Sequence, residues 1–211
     1  MMMDEGYIKF EVDWKETLPF ETTQLAQLIY WRQKMFELGL IGMYENGIGF
    51  GNISQRVGNT NHFFISASKT GNLRQVNAAH FAKVVQVSID RNWLYCEGPS
   101  IASSESMSHA VIYAQCPWVN GIIHGHQFSL WQQLLLHVPT TSKDIAYGTP
   151  EMAYAIIELL QTPASQHQRI FAMKGHEEGF FTFGESLSAA AEVIMRWLTK
   201  STHTPLADSA Q

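Results

Sequence analysis

The chain has 211 residues, 45% of them hydrophobic and 16% charged, with a formal net charge of −5. That balance suits a single compact domain with a sizeable core and excludes a disordered chain. Lysine and arginine are scattered without a basic cluster, which argues against nucleic acid as a partner.

Residues 1–20 are acidic (Asp4, Glu5, Glu11, Asp13, Glu16) and lack the apolar segment of a signal peptide. They read as an N-terminal extension. From Glu21 to Leu38, Leu25, Leu28, Ile29, Trp31, Met35 and Phe36 recur at mostly helical spacing. Thr22 or Thr23 would cap this helix and Gly39 would close it. A Gly-rich passage, ENGIGFGNIS, follows over residues 45–54. Residues 62–66 (HFFIS) and 84–89 (VVQVSI) predict strands, and Asp90-Arg91-Asn92 predicts a hairpin turn into Trp93-Leu94-Tyr95. A helix is expected over about residues 104–115, ended by Cys116-Pro117. Residues 119–126 (VNGIIHGH) and 169–174 (RIFAMK) predict strands. Pro150 opens one further helix, and an amphipathic helix spans 187–198 before a polar tail over 201–211. Strands with helices at intervals and no strict βαβ alternation imply an α/β or α+β sandwich. No apolar run approaches the roughly 18 residues that a bilayer requires. Cys96 and Cys116 form no CxxC pair, so a cytoplasmic address with reduced thiols is expected.

His124-Gly125-His126 is the strongest chemical signal. On a strand, residues i and i+2 share a face, so both imidazoles project together and can close on one divalent ion. A pair hydrogen-bonded at a sheet end is the alternative. His176 lies just beyond the strand at 169–174 and is the candidate third ligand. His62, His80, His137, His167 and His203 have no spacing that recruits them, and His109 reads as an inward-facing, packed helix histidine, with shaping the site as the alternative. Ser103-Ser104-Glu105 precedes the helix leading to the histidine strand. A helix start favours anions, although the same tripeptide makes an ordinary N-cap. Gly51-Asn52-Ile53-Ser54 and Ser68-Lys69-Thr70-Gly71 are further candidate anion loops, each an ordinary turn if taken singly.

In this order the segments GNIS (51–54), ISASKTG (65–71), ASSE (102–105), IIHGH (122–126), YGTPEMA (147–153) and GHEEGFFTFGESLSAAAE (175–192) resemble the class II aldolase/adducin family. The resemblance covers about residues 20–200. It implies a three-layer sandwich of one domain (21–200), with a central, mostly antiparallel sheet flanked by helices. It also implies a homotetramer acting on a small-molecule substrate, while charge and hydropathy point to no nucleic-acid or membrane partner. His124, His126 and His176 would bind a divalent metal, zinc first, with manganese, iron or cobalt as alternatives. Glu105 would be the acid–base residue, and Asn52, Ser68, Ser103 and Ser104 would surround an anionic group of the substrate. The implied reaction is retro-aldol cleavage of a hydroxy-ketone through a metal-stabilised enediolate. Epimerases, decarboxylases, dehydratases and a non-catalytic adducin-like module share the scaffold. Two departures stand out. Lys69 occupies a usual glycine position, where it would add positive charge to the anion-binding site, block the anion from the backbone, or stand exposed in the loop. Counting back from Gly184 puts Glu178, not His176, in register with the usual histidine. A two-residue insertion restores His176 as the ligand; Glu178 would give His₂Glu.

Overall fold

The computed structural model describes residues 8–201. Its centre is a nine-stranded sheet in the order β1 (Glu11–Glu16), β7 (Trp93–Gly98), β6 (Phe81–Ser88), β5 (Phe63–Ser66), β4 (Asn52–Arg56), β8 (Gly121–His126), β11 (Gly179–Gly184), β10 (Ile170–Met173), β9 (Thr140–Thr141). Pairing is antiparallel except at the two outer pairs, β1 with β7 and β9 with β10. A separate hairpin pairs β2 (Gly42–Met43) with β3 (Gly49–Phe50). Residues 8–20 therefore add an edge strand to the sheet. The polar tail, apart from the Ser201 backbone at the end of the last helix, lies outside the described residues.

Helices cover both faces. α2 (Ser106–Gln115) and α4 (Pro150–Leu160) pack Met107, Val111, Ile112, Met152 and Ile156 into one core. α1 (Thr22–Glu37), α3 (Phe128–His137) and α6 (Leu187–Ser201) bury Leu25, Leu28, Leu130, Ala190 and Ile194 on the other face. A short helix, α5 (Pro163–Gln168), leads into β10. The result is the expected single α/β domain: a mostly antiparallel sheet between two helical layers.

Several boundaries move for physical reasons. Glu21 rather than Thr22 or Thr23 caps α1, and its side chain makes no capping bond. Gly39 does close that helix, with φ of 70°. The GNIS segment is not a turn: Asn52 begins β4, because Asn52, Ile53 and Ser54 pair with His124, Ile123 and Ile122. Only Gly51, with φ of 71°, makes the bend. α3 and β11 are not among the elements expected from the sequence. α3 is capped by Gln127, whose side chain accepts from the Leu130 N–H, and glutamine is not a usual cap signal. β11 (GFFTFG) is buried at every position between β8 and β10 and so shows no alternation.

Alternation along β8 sets up the site. Ile122 joins the α2/α4 core and Ile123 the α1/α3/α6 core, so His124 and His126 face α2 while Gly125 faces away. A Cβ at Gly125 would come within 2.8 Å of the Phe180 ring. The antiparallel register sets Asn52 and Phe181 directly beside His124, on the same face.

Candidate functional site

His124 and His126 are each 1% exposed and His176 is 6% exposed. Their ligand atoms lie within 4.8 Å of one another. The Nδ1–H of His124 donates to the Phe180 carbonyl at 3.0 Å, which leaves its Nε2 a lone pair. Tyr44 donates its hydroxyl proton to Glu178 Oε2 at 2.7 Å, so at 3.1 Å it accepts from His126 Nδ1. His126 Nε2 is then also a lone pair, and it sits 3.0 Å from His124 Nε2. Two lone pairs at that distance repel each other, and a shared cation removes the conflict. Burial first, and the neighbouring imidazoles second, push both rings well below the usual histidine pKa. Neutral imidazoles with Nδ1 tied back are the donors that a divalent metal takes. The residues present therefore fit the ion.

His176 reaches the cluster from the turn between β10 and β11. The turn is tight: the His176 N–H bonds to the Met173 carbonyl at 3.2 Å, and the Gly179 N–H bonds back to the His176 carbonyl at 3.0 Å. A Cβ at Gly175 would meet the Lys143 carbonyl at 2.6 Å, so only glycine fits there. Tyr147 stacks on the His176 ring at 4.5 Å between centroids. Glu178, with φ of 69°, turns outward to Tyr44 and supports His126 from behind.

Glu105 is the N-cap residue of α2, not part of its first turn, and its side chain makes no capping bond. Its Oε2 instead accepts from the Ser108 hydroxyl at 3.0 Å, and its Oε1 lies 3.8 Å from His176 Nδ1. The carboxylate is thus buried beside the histidine cluster and lines a cavity of about 280 Å³. That size is at the small end of ligand pockets. Asn52, Ser68, Lys69, Ser103, Ser104, Glu105 and His124 all line it, as do Thr70, Gly71 and Asn72. His62, His80, His137 and His167 are not among its lining residues; His203 lies outside the described residues.

His109, expected to face inward from its helix, has partners that define its part in the site. It is fully buried, with Nε2 2.6 Å from Asn52 Oδ1 and Nδ1 2.6 Å from Ser54 Oγ. A carbonyl oxygen only accepts, so Nε2–H donates to Asn52 and Nδ1 accepts from Ser54. Ser54 in turn accepts from the Tyr113 hydroxyl at 2.8 Å. The chain Tyr113–Ser54–His109–Asn52 fixes the Asn52 amide with its oxygen toward His109 and leaves its NH₂ group for the cleft.

Burial pushes the His109 pKa down to about 3. The folded state therefore keeps His109 neutral at pH values where the unfolded chain protonates it. Stability is complete above the unfolded value near 6.5 and declines as pH falls below it, toward 3. From this group alone the loss by pH 5 is about 2 kcal/mol. His124 and His126 act in the same direction. Urea midpoints of the metal-free protein should be level from pH 7 to 8 and fall steeply below pH 6.5. A midpoint unchanged at pH 5 would contradict this.

Residues 26–198 match the sequence profile of the class II aldolase and adducin N-terminal domain. The chain belongs to this family. No protein of curated function matches it in sequence. Among solved structures, YgbL from Escherichia coli, whose activity is given only as aldolase, epimerase or decarboxylase, superposes with a TM-score of 0.62 at 16% identity, over 86% of this chain and 87% of that one. An L-fuculose 1-phosphate aldolase gives 0.62 at 17% identity, over 89% and 91%. The L-fuculose-1-phosphate aldolase of Thermus thermophilus gives 0.57 at 19%, over 88% and 100%. At these identities the likeness shows the fold alone. No helix among the described residues is long and apolar enough to cross a membrane.

Proposed function

We propose that this class II aldolase-family protein is a divalent-metal-dependent lyase, cleaving a carbon–carbon bond of a hydroxy-ketone that ends in a phosphate or similar anion. The convergence of His124, His126 and His176 beside the buried Glu105 carries the reading. Three imidazoles make an open zinc site, since a purely structural site is usually closed by a fourth protein ligand. A divalent ion bound there supplies Lewis-acid stabilisation of negative charge on the substrate's oxygens.

The chain's own groups do the rest. Glu105 moves the proton at the carbon that becomes nucleophilic in the aldol direction. Its contact with Ser108 holds one oxygen, which leaves Oε1 on the side of His176. Asn52, Ser68, Ser103 and Ser104 offer an amide and three hydroxyls to the substrate's anionic end, with Lys69 adding positive charge. A non-catalytic adducin-like module has no use for an acid buried against three imidazoles. Epimerisation and decarboxylation use the same enolising groups, so the products must separate them.

The test is a product screen of zinc-, manganese- and cobalt-loaded protein against hydroxy-ketone phosphates and hydroxy acids, with metal-stripped protein alongside. Metal-dependent release of an aldehyde is the expected result. Equal turnover by stripped protein would remove the metal from the reaction, and an epimer or carbon dioxide in place of the aldehyde would replace the lyase.

A further inference from the structure

Arg32 lies on α1, outside the cleft lining, and is completely buried. Its guanidinium donates to the carbonyls of three residues in the loop after β5: Leu73 through Nη1, Thr70 through Nη2 at 2.7 Å, and Gly71 through Nη2 at 3.4 Å. Among the described residues no carboxylate pairs with it. Burial pushes its pKa down to about 10, so it still carries its charge at neutral pH. A buried cation answered only by carbonyls and by the face of the Phe36 ring, 4.9 Å from its guanidinium carbon, is costly unless something else offsets it.

The same loop lines the cleft through Ser68, Lys69, Thr70, Gly71 and Asn72. In a trans peptide the C=O and N–H point in opposite directions. Turning the Thr70 and Gly71 carbonyls onto Arg32 therefore turns the N–H groups of Gly71 and Asn72 away from it. Among the described residues nothing accepts from those two N–H groups. The loop is held from the other side too, since a Cβ at Gly71 would fall 2.2 Å from the Gly42 carbonyl of the β2–β3 hairpin. Lys69 has φ of 61°, a left-handed conformation that a side-chain-bearing residue keeps only where its surroundings hold it.

We propose that Arg32 is a positioning residue for the anionic end of the substrate: it clamps the 70–73 loop by three carbonyls, aims the loop's free N–H groups into the cleft, and backs them with an unneutralised charge. This rests on the reading of the cleft as an anion site. It predicts that the affinity for an anion depends on a side chain that never touches it, while metal binding at the histidines does not.

The experiment is calorimetric titration of the zinc-loaded protein with inorganic phosphate, for wild type, Arg32→Met and Arg32→Lys, with zinc content and melting temperature measured on each. Arg32→Met is expected to weaken phosphate binding roughly ten-fold or more, the equivalent of one or two charge-assisted bonds, at unchanged zinc content. Arg32→Lys keeps the charge but cannot hold three carbonyls, so its affinity should fall between the two. If Arg32→Met does not fold, Arg32→Lys decides alone. Phosphate affinity equal to wild type in a folded variant overturns the role of Arg32, even with a lowered melting temperature, because a purely structural arginine would behave in that way. Absence of phosphate binding by the wild type overturns the anion cleft and this proposal with it, and leaves the metal centre standing.

Discussion

Replacing His176 by alanine is expected to weaken zinc binding far more than replacing Glu178 by glutamine. The sequence alone leaves these two residues as rivals, because counting back from Gly184 puts Glu178 in register while imidazole chemistry favours His176. The structure gives them different neighbours. His176 places a ring nitrogen within 4.8 Å of those of His124 and His126. Glu178 accepts from the Tyr44 hydroxyl at 2.7 Å, and Tyr44 in turn accepts from His126 Nδ1 at 3.1 Å. Loss of such a supporting hydrogen bond typically costs roughly 10–100-fold in metal affinity. Removing one of three ligands should cost well beyond that range, since two imidazoles cannot hold the ion with comparable strength. Competition of stripped protein against a chromophoric chelator measures both variants, with about one ion per chain expected for the wild type. A weaker site in Glu178→Gln than in His176→Ala would make Glu178 the ligand and return His176 to the turn.

What the sequence disclosed depended on whether the signal was local. The two histidines of β8 share a face because a strand has period two, and that was readable from His124-Gly125-His126 itself. α4 carried Pro150 at its first turn and was placed for the same reason. Asn52 was singled out as a candidate anion residue and lines the cleft, but from a strand rather than a turn, because its pairing with His124 joins positions far apart in the chain. β11 lacks the alternation that marks a half-buried strand, since both of its faces are covered. The Tyr113–Ser54–His109–Asn52 chain and the Arg32 clamp were illegible for a related reason. Each joins helix and strand residues whose neighbourhood exists only once the sheet has formed, and no spacing rule connects them.

Glu105→Gln is expected to lower turnover by roughly a thousand-fold while leaving both zinc and phosphate binding intact, within the range that a positioned acid–base group contributes. The substitution is nearly isosteric, and an amide oxygen can still accept from the Ser108 hydroxyl that holds Oε2 at 3.0 Å. The carboxylate's 3.8 Å approach to His176 Nδ1 is not a ligand contact, so the ion should remain. The ability to take up and return a proton is lost. The readout need not wait for the physiological substrate. A small hydroxy-ketone phosphate incubated with the zinc-loaded protein in deuterated water should exchange hydrogen for deuterium at the carbon next to its ketone, and nuclear magnetic resonance follows that directly. Wild-type exchange that disappears in Glu105→Gln assigns the proton transfer to this carboxylate. Undiminished exchange in the variant would move the base elsewhere, and Glu105 would become a charge that shapes the histidine cluster rather than a group that reacts.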